Sequence, residues 1–289
     1  MEANFYDDIN KFYNLASLFL LKREIENALI LSILDVLKGN IHRYGEEMPL
    51  LLLLREESII KLIAVRTPPH DLLISYIDKT DCIDVLVEEL LKRNEKLPGV
   101  LSFRKAADKF TQLWCDKNSL ESQLLRKERI YKLDKVSKET LGNNSFHVAT
   151  KPYQSIVLKW AREMVSEALV EVTEEELDQN NSRFKIEFEN NESQIFLLFH
   201  HDKPVSMARK AGKTPNGNAI NLVYTPPPLR RRGYATECVA KLSKRLLDEG
   251  NKYCFLFTDL SNPTSNSIYL KIGYRPIIDQ HHYKFMSLS

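Results

Sequence analysis

The sequence predicts an α/β protein of the α+β kind, in which each half of the chain combines helices with short strands. Segments with apolar residues at helical spacing alternate with short runs of branched aliphatic and aromatic residues, which are typical of buried strands. Apart from the short strands that open and close the second half, the same order of segments occurs in both halves of the 289-residue chain: two helices, three strands, a helix, a strand and a helix. A repeat of this length indicates two similar domains.

The first half opens with two predicted helices between residues 4 and 37. A hairpin of strands follows in PLLLLLRE and SIIKLIAVRT, and then come a strand (DLLISYI), a helix (CIDVLVEELLKRN), a short strand (GVLSF) and a helix (RKAADKFTQLWCDK). The charged segment NSLESQLLRKER has little strand character, which places a linker near residue 126. The predicted domains are therefore residues 1–126 and 127–289.

The second half begins with two short strands (YKLDKV and SFHVAT) and two helices (PYQSIVLKWAREMVSEAL and EEELDQNNSRFKIEF). A hairpin follows in QIFLLFHHDKPVSMARKAG, with its turn predicted at Asp202 to Pro204. The remaining elements are a strand (NAINLVYT), a helix that ends at Gly250 (YATECVAKLSKRLLDEG), a strand (YCFLFTD), a helix (SNPTSNSIYLKIG) and a final pair of short strands (YRPIIDQHHYKF).

Composition and charge narrow the functional classes. The net charge of +2 gives no overall field for nucleic acid or an anionic membrane, so neither is predicted as a partner. The four cysteines have neither Cys-x-x-Cys spacing nor histidines at metal-ligand spacing, which predicts reduced thiols and no metal. The acidic N-terminal segment is unlike a signal peptide, and the apolar run at residues 48–54 is too short to span a bilayer. We therefore expect a cytoplasmic protein.

The stretch VYTPPPLRRRGYATE, residues 223–237, joins a predicted strand to a predicted helix. A helix N-terminus presents unpaired N–H groups and a partial positive charge, and a glycine there lets an anion approach the backbone. Arginines add charge-assisted hydrogen bonds to phosphate oxygens. The pattern therefore predicts a pyrophosphate site, with a solvated basic turn as the alternative. It contains neither a Walker P-loop nor a dinucleotide-binding fingerprint.

This stretch resembles the acetyl-CoA-binding motif of the GNAT acetyltransferase superfamily, Gln/Arg-x-x-Gly-x-Gly/Ala, with Arg230, Gly233 and Ala235 at its defined positions. The resemblance implies a GNAT fold, which has a mixed central sheet flanked by helices, with acetyl-CoA as co-substrate. It implies that the pantetheine arm pairs with the end of the preceding strand, at Val223, Tyr224 and Thr225. It also implies that the pyrophosphate binds the loop and helix start, through the backbone of Arg231, Arg232, Gly233, Tyr234, Ala235 and Thr236.

A second segment, NPTSNSIYLKIGY, resembles the Asn-(x)6-Tyr-(x)3-Gly-aromatic signature of the last GNAT helix. By this resemblance Asn262 contacts the pantetheine and Tyr269 is the general acid. An amine would attack the thioester carbonyl and the CoA thiolate would leave. A thiol has a pKa of about 8.5 and a phenol of about 10, so a tyrosine can protonate the departing sulfur. The alternative for Tyr269 is a core tyrosine on an amphipathic helix.

The first half has the same order of elements but lacks the site. Its strand DLLISYI is followed by DKTDCIDVLVEELL, which has no glycine and no arginine cluster. We interpret it as a degenerate GNAT-like domain, as in two-domain bacterial acetyltransferases that resemble the glycine N-acyltransferase group. The segment RTPPHDLLIS is either a proline-stiffened connection or a lining of the acceptor pocket through His70.

The general base and the acceptor stay open. Glu237, Asp259, His281 and His282 are candidates for the base, with Glu237 also suited to the first turn of its helix and Asp259 to a helix cap. We expect a small-molecule amine or a peptide as acceptor, and acetyl as the acyl group from family frequency. Three interpretations compete: an active N-acetyltransferase, a catalytically silent acyl-CoA-binding protein, and an interaction protein that keeps the fold.

Overall fold

The computed structural model describes residues 1–168, 173–190 and 194–288. The chain forms two compact units. The first unit consists of Met1–Ile130 together with Thr258–Asn262 and Pro276–Ser289, and the second consists of Tyr131–Phe257 and Pro263–Arg275. The boundary predicted at residue 126 lies close to the break at residue 130, but the first unit also takes in segments from the C-terminal end of the chain.

The helices and strands follow the predicted order with few changes. In chain order, the first ones are β1 (Glu2–Phe5), α1 (Ile9–Leu21), α2 (Ala28–Gly39), β2 (Leu50–Glu56), β3 (Ile59–Arg66), β4 (Leu72–Ile74), α3 (Cys82–Lys92), β5 (Gly99–Phe103), α4 (Arg104–Asn118) and β6 (Leu120–Leu133). They are followed by β7 (Ser145–Val148), α5 (Gln154–Ala168), α6 (Glu174–Glu189), β8 (Gln194–His200), β9 (Lys203–Lys213), β10 (Gly217–Tyr224), α7 (Tyr234–Asp248), β11 (Tyr253–Asp259), α8 (Pro263–Ile272) and β12 (Arg275–Ser287).

The sheet of the first unit has the strand order β1-β2-β3-β4-β5-β12. β4 and β5 pair in parallel, and the other neighbours in this run pair antiparallel. In the second unit the order is β7-β8-β9-β10-β11, in which only β10 and β11 pair in parallel. Both units therefore contain a mixed sheet, as the sequence predicts.

Helices cover both faces of each sheet, which explains the uninterrupted apolar runs. In β2, Leu52 and Leu54 belong to a core cluster with α3 and α4, whereas Leu51 and Leu53 belong to a cluster with α1 and α2. In β8, Phe196 and Leu198 pack with α7, while the residues between and beside them pack with α5 and α6. A strand that is buried on both faces loses the alternation of polar and apolar residues.

Three sequence predictions about strands were wrong. The segment NSLESQLLRKER, predicted as a linker, lies almost wholly in β6; residues 121–125 of this strand are exposed, so no buried face marks it in the sequence. The predicted pair of short strands in YRPIIDQHHYKF is the single strand β12. The short strand β1, which pairs with β2, was missed because it was counted with the first helix. In addition, the β8–β9 turn lies at His201–Asp202, both at positive φ.

None of the helices within the described ranges combines the length and the apolar character that a membrane span requires.

Candidate acetyl-CoA site

The N-terminus of α7 has the features of an anion site. Gly233 is the N-cap residue, with φ at +83°, and no side chain caps the helix. The first hydrogen bond runs from the Glu237 N–H to the Gly233 carbonyl, so the amides of residues 234–236 precede the first bond of the helix. A Cβ built on Gly233 would meet no atom within 4 Å. There is thus open space beside the backbone at residue 233, and the pyrophosphate site stays a prediction.

The loop before α7 places two charged side chains in solvent beside this helix start. Arg231 adopts a left-handed backbone conformation, with φ at +63°, and both Arg231 and Arg232 are exposed. A short helical turn at Pro227–Leu229 precedes them and stiffens the loop. Arg231 and Arg232 are therefore available to phosphate oxygens next to the helix N-terminus.

Strand β10 bends before it reaches the loop. Leu222 has a φ of +50°, and the pairing with β9 shifts register between Asn221 and Tyr224. The pairing with β11 covers Gly217–Ala219, and β10 continues beyond it to Tyr224. A bulge of this kind turns the strand away from its neighbour and exposes backbone groups near its end. The end of β10 is where the pantetheine arm was predicted to bind.

Of the three residues predicted to pair with pantetheine, Tyr224 and Thr225 have carbonyl groups that already accept hydrogen bonds within the protein. The Ser206 hydroxyl lies 3.0 Å from the Tyr224 carbonyl oxygen and 2.9 Å from the Thr225 hydroxyl. The Arg230 Nε donates to the Thr225 carbonyl at 2.8 Å. Val223, which is half-buried, packs against the core cluster under α7. The pairing of pantetheine with these three residues stays a prediction.

Arg230, the first residue of the predicted motif, is held by the protein itself. Besides the Thr225 carbonyl, its guanidinium contacts the Glu167 carboxylate at 2.6 Å and lies 5.5 Å from the centre of the Tyr224 ring. The Tyr224 hydroxyl is in turn 3.0 Å from Glu167 and 3.1 Å from Glu163. Burial, and then the Glu167 carboxylate, raise the pKa of Tyr224. Neither glutamate was predicted from the sequence, because only their i, i+4 spacing on α5 marks them.

Tyr269, the predicted general acid, lies on α8 and is 8% exposed. Its ring packs against Tyr131 and Tyr274, with centroids 6.1 and 5.9 Å apart. Burial raises its pKa to about 12. Its hydroxyl has no hydrogen bond to any residue that the structure describes. A phenol that stays protonated and has no internal partner fits both the predicted acid and a core tyrosine.

Asn262 and Asp259 lie at the start of the turn into α8. The Asp259 carboxylate accepts a hydrogen bond from the Ser261 N–H at 2.7 Å, and its carbonyl accepts one from the Asn262 N–H at 3.2 Å. Asp259 thus serves the turn between β11 and α8, which begins at Pro263, and its predicted roles as a base or a helix cap stay predictions. Both residues group with the first unit, so the contact of Asn262 with pantetheine stays a prediction.

Glu237, a candidate base in the sequence analysis, is buried and fully engaged. Its carboxylate accepts hydrogen bonds from the Asn144 backbone N–H at 2.8 Å and from the Asn144 side chain at 2.6 Å, and pairs with Lys241 at 3.1 Å. A Cβ on Gly142 would come within 2.3 Å of this carboxylate. Glu237 therefore joins the first turn of α7 to the loop before β7, which is a structural role.

The histidine candidates also have carboxylate partners, all within the first unit. His281 Nδ1 lies 2.6 Å from Asp108, and His282 Nε2 lies 2.5 Å from Asp71. The two histidines are neighbours on β12 and point to opposite faces, as an alternating strand requires. His70 sits in the turn after β3, where its backbone N–H donates to the Thr67 carbonyl at 2.9 Å. Both interpretations of its segment stay predictions.

The cysteines are unsuited to nucleophilic chemistry. All four are free and buried. Burial raises the pKa of Cys82 to about 11 and the pKa values of Cys238 and Cys254 to about 12, so these thiols are protonated at neutral pH. Within the described ranges, no three histidine, cysteine, aspartate or glutamate side chains group closely enough to hold a metal.

Comparison with known proteins supports the same fold. Residues 198–284 match the family model described as FR47-like protein. An acetyltransferase of the GNAT family from Colwellia psychrerythraea is 11% identical, with a TM-score of 0.56 and full coverage of both chains. A Drosophila protein is 12% identical, with a TM-score of 0.65 and 99% coverage of each chain. A GCN5-related N-acetyltransferase from Sphaerobacter thermophilus is 13% identical, with a TM-score of 0.57 and coverage of 89% of this chain and 85% of its own.

No curated protein matches the sequence significantly. The structural similarities, at these identities, show the fold, and the FR47-like match covers the segment that contains β9, β10, the arginine loop and α7. The chain thus has the GNAT fold.

Proposed function

We propose that this protein is an acetyl-CoA-dependent N-acetyltransferase that moves an acetyl group to the amine of a small molecule or peptide by direct attack on the thioester. The observation that carries the proposal is the open N-terminus of α7, where Gly233 leaves space above the backbone and two arginines stand in solvent. An uncapped helix start of this kind suits a pyrophosphate. Acetyl-CoA would supply the activated thioester.

Residues of the second unit would bind the cofactor and donate the proton. Backbone amides of residues 231–236 would hold the pyrophosphate, assisted by the side chains of Arg231 and Arg232. The Val223 backbone would pair with the pantetheine arm where β10 bends. Tyr269, with a pKa raised to about 12 by burial, would keep its proton at neutral pH and give it to the departing sulfur.

A catalytically silent acyl-CoA-binding protein is the second candidate, and one observation favours it. The carboxylates and imidazoles considered as the general base, among the described residues, are each bound to another group of the protein. Release of CoA thiol across a panel of amines separates the two candidates, because both would bind acetyl-CoA but only the enzyme would turn it over.

The first test is thermal stability with and without acetyl-CoA. Ligand at about 100 times its dissociation constant should add about 2.7 kcal/mol to the free energy of unfolding. The variant Gly233→Glu should lose this gain, because it places a carboxylate where the pyrophosphate would lie. Gly250→Glu is the matched control: Gly250 also has a positive φ and no atom near a Cβ, but it follows the other end of α7.

The expected result is a clear stabilisation of the wild type and of Gly250→Glu, and none of Gly233→Glu. Both substitutions strain the backbone by about 1 kcal/mol, so their own stabilities calibrate the comparison. Absence of stabilisation in the wild type at millimolar acetyl-CoA would overturn the proposed function and leave the arginine loop as a solvated basic turn.

A further inference from the structure

The side chain of Arg230 is turned back toward its own loop and toward helix α5. Its Nε bonds the Thr225 carbonyl at 2.8 Å, which closes the proline-rich segment between these two residues. Its terminal nitrogen bonds the Glu167 carboxylate at 2.6 Å. The negative charge of Glu167 therefore balances the positive charge of Arg230. The main effect of Arg230 on the loop is to fix the loop's geometry, not to add net positive charge.

One face of helix α5 contacts the end of β10. Trp160, Glu163 and Glu167 recur along it at helical spacing. The Trp160 ring lies 6.3 Å from the Tyr224 ring, and both glutamates lie within 3.1 Å of the Tyr224 hydroxyl. Because a phenol has one proton, it can donate to only one of the two carboxylates at a time. Of the two, Glu167 is the one that also contacts Arg230.

The loop needs such an anchor because its backbone is strained. Arg231, directly after Arg230, has a φ of +63°, which costs a residue with a side chain about 1 to 2 kcal/mol. Strained conformations persist only where neighbouring contacts hold them. The contacts of Arg230 with Thr225 and Glu167, together with the packing of Leu229 against the core cluster of the second unit, hold this end of the loop in place.

We propose that Glu167 is a positioning residue for acetyl-CoA: by fixing Arg230 against the Thr225 carbonyl, it holds the loop in the shape that presents the amides of residues 231–236 to the pyrophosphate. This inference rests on the proposed function, and it adds α5 to the cofactor site. Glu167 itself would not touch the cofactor. Its effect would pass through Arg230.

Charge and geometry predict opposite results when Glu167 is neutralised. Removing a negative charge near a phosphate site, taken alone, should strengthen the binding of an anion. Loss of the anchor should weaken it, because the loop must then be ordered when the ligand binds. Glu167→Gln should therefore raise the dissociation constant of acetyl-CoA about threefold to tenfold, measured by calorimetry on the full-length protein.

Glu163→Gln is the matched control. It removes the same charge from the same face of α5 and the same contact with the Tyr224 hydroxyl, but Glu163 does not bond Arg230. We expect an unchanged or slightly lower dissociation constant for this variant. Equal weakening by both variants, or tighter binding by Glu167→Gln, would overturn the positioning role.

A double-mutant cycle tests the route through Arg230. Arg230→Gln keeps a residue type that the motif accepts but removes the ion pair with Glu167. If Glu167 acts through Arg230, the substitution Glu167→Gln should have no further effect in the Arg230→Gln background. Additive effects would overturn the inference. Where turnover is measurable, the KM for acetyl-CoA should rise while kcat at saturation stays unchanged.

Failure of this inference differs from failure of the proposed function. If wild-type protein does not bind acetyl-CoA, both fall. If the wild type binds and Glu167→Gln binds equally well, only the positioning role falls. The side chain of Glu167 is 45% exposed, so its replacement by glutamine should leave the fold intact, and a thermal melt without ligand verifies this.

Discussion

At the scale of single residues, the proposed chemistry would depend on Tyr269 of the second unit. Its ring is packed between Tyr131 and Tyr274, which fixes the direction of the phenol. Burial raises its pKa to about 12, so the phenol remains protonated throughout the neutral range. The group would therefore carry its proton at neutral pH, and it would not act as the base that accepts a proton from an incoming amine.

The substitution Tyr269→Phe tests this role. It removes only the hydroxyl, so the ring packing stays and the binding of acetyl-CoA should remain within about twofold. We expect kcat to fall about a hundredfold, which is the low end of the contribution of a positioned general acid. Steady-state kinetics with the best available amine acceptor gives both constants.

Tyr131→Phe is the control for ring packing without the acid. Its hydroxyl donates to Asn266 at 3.0 Å, so this variant should lose some stability and keep its kcat. Full activity of Tyr269→Phe would show instead that Tyr269 is a core residue of α8.

Which single residues could be predicted depended on whether their partners were near in sequence. Gly233 and the arginines stand together in one segment, so their role as a helix start with open amides was predictable. Glu167, Glu163 and Ser206 meet the end of β10 only through tertiary packing, at separations of 18 to 63 residues. No local pattern encodes contacts of this kind.

At the scale of elements, α7 is the organising helix of the second unit. Its buried face packs into the core cluster, and its first turn holds the loop before β7 through Glu237. The Asn144 carbonyl also accepts a hydrogen bond from Lys241, one turn further along the helix. The Glu237 carboxylate, which was a candidate for the general base, is thus part of a buried set of hydrogen bonds that connects the loop to the helix.

Replacing Glu237 by glutamine should therefore affect stability and not chemistry. A buried carboxylate that accepts hydrogen bonds from Asn144 and pairs with Lys241 is worth about 1 to 3 kcal/mol. We expect a loss of this size in the free energy of unfolding measured by urea denaturation, with kcat unchanged for the protein that remains folded.

Asp248→Asn offers a comparison on the same helix. Asp248 pairs with Lys244 on the exposed surface, where an ion pair contributes less than about 1 kcal/mol. If Glu237→Gln were as stable as Asp248→Asn but had lost its turnover, the catalytic interpretation of Glu237 would return.

The elements with clear buried faces were predictable, and those without were not. Strands β2, β8 and β11 are runs of apolar residues, and α7 has a strong apolar stripe. The first part of β6 is exposed and charged. Its side chains therefore show no pattern from which the pairing of its backbone could be predicted. β12 was divided in the prediction because its charged and polar residues resemble a turn.

At the scale of the whole molecule, the chain does not divide into two units at one point. The first unit includes residues from the C-terminal end, and β12 pairs with β5 from Gln280↔Phe103 to Lys284↔Gly99. Phe285 lies in the core cluster of α3 and α4, with its ring 6.5 Å from that of Phe110. The repeat of elements in the sequence does not reveal this, because it counts segments and not their pairing partners.

The position of β12 in the first unit leads to the final prediction. Phe285→Ala should lower the free energy of unfolding of the first unit by about 3 to 5 kcal/mol, which is typical for truncation of a buried aromatic residue. The effect should reach β5 and α4, although they are far from residue 285 in sequence. Hydrogen exchange should show faster opening of β5 and α4, while α7 and β10 keep their protection. Ile277→Ala, at a residue of the same strand that is 39% exposed, should change neither region. Faster exchange confined to α7 and β10 in Phe285→Ala would mean that β12 supports the second unit instead.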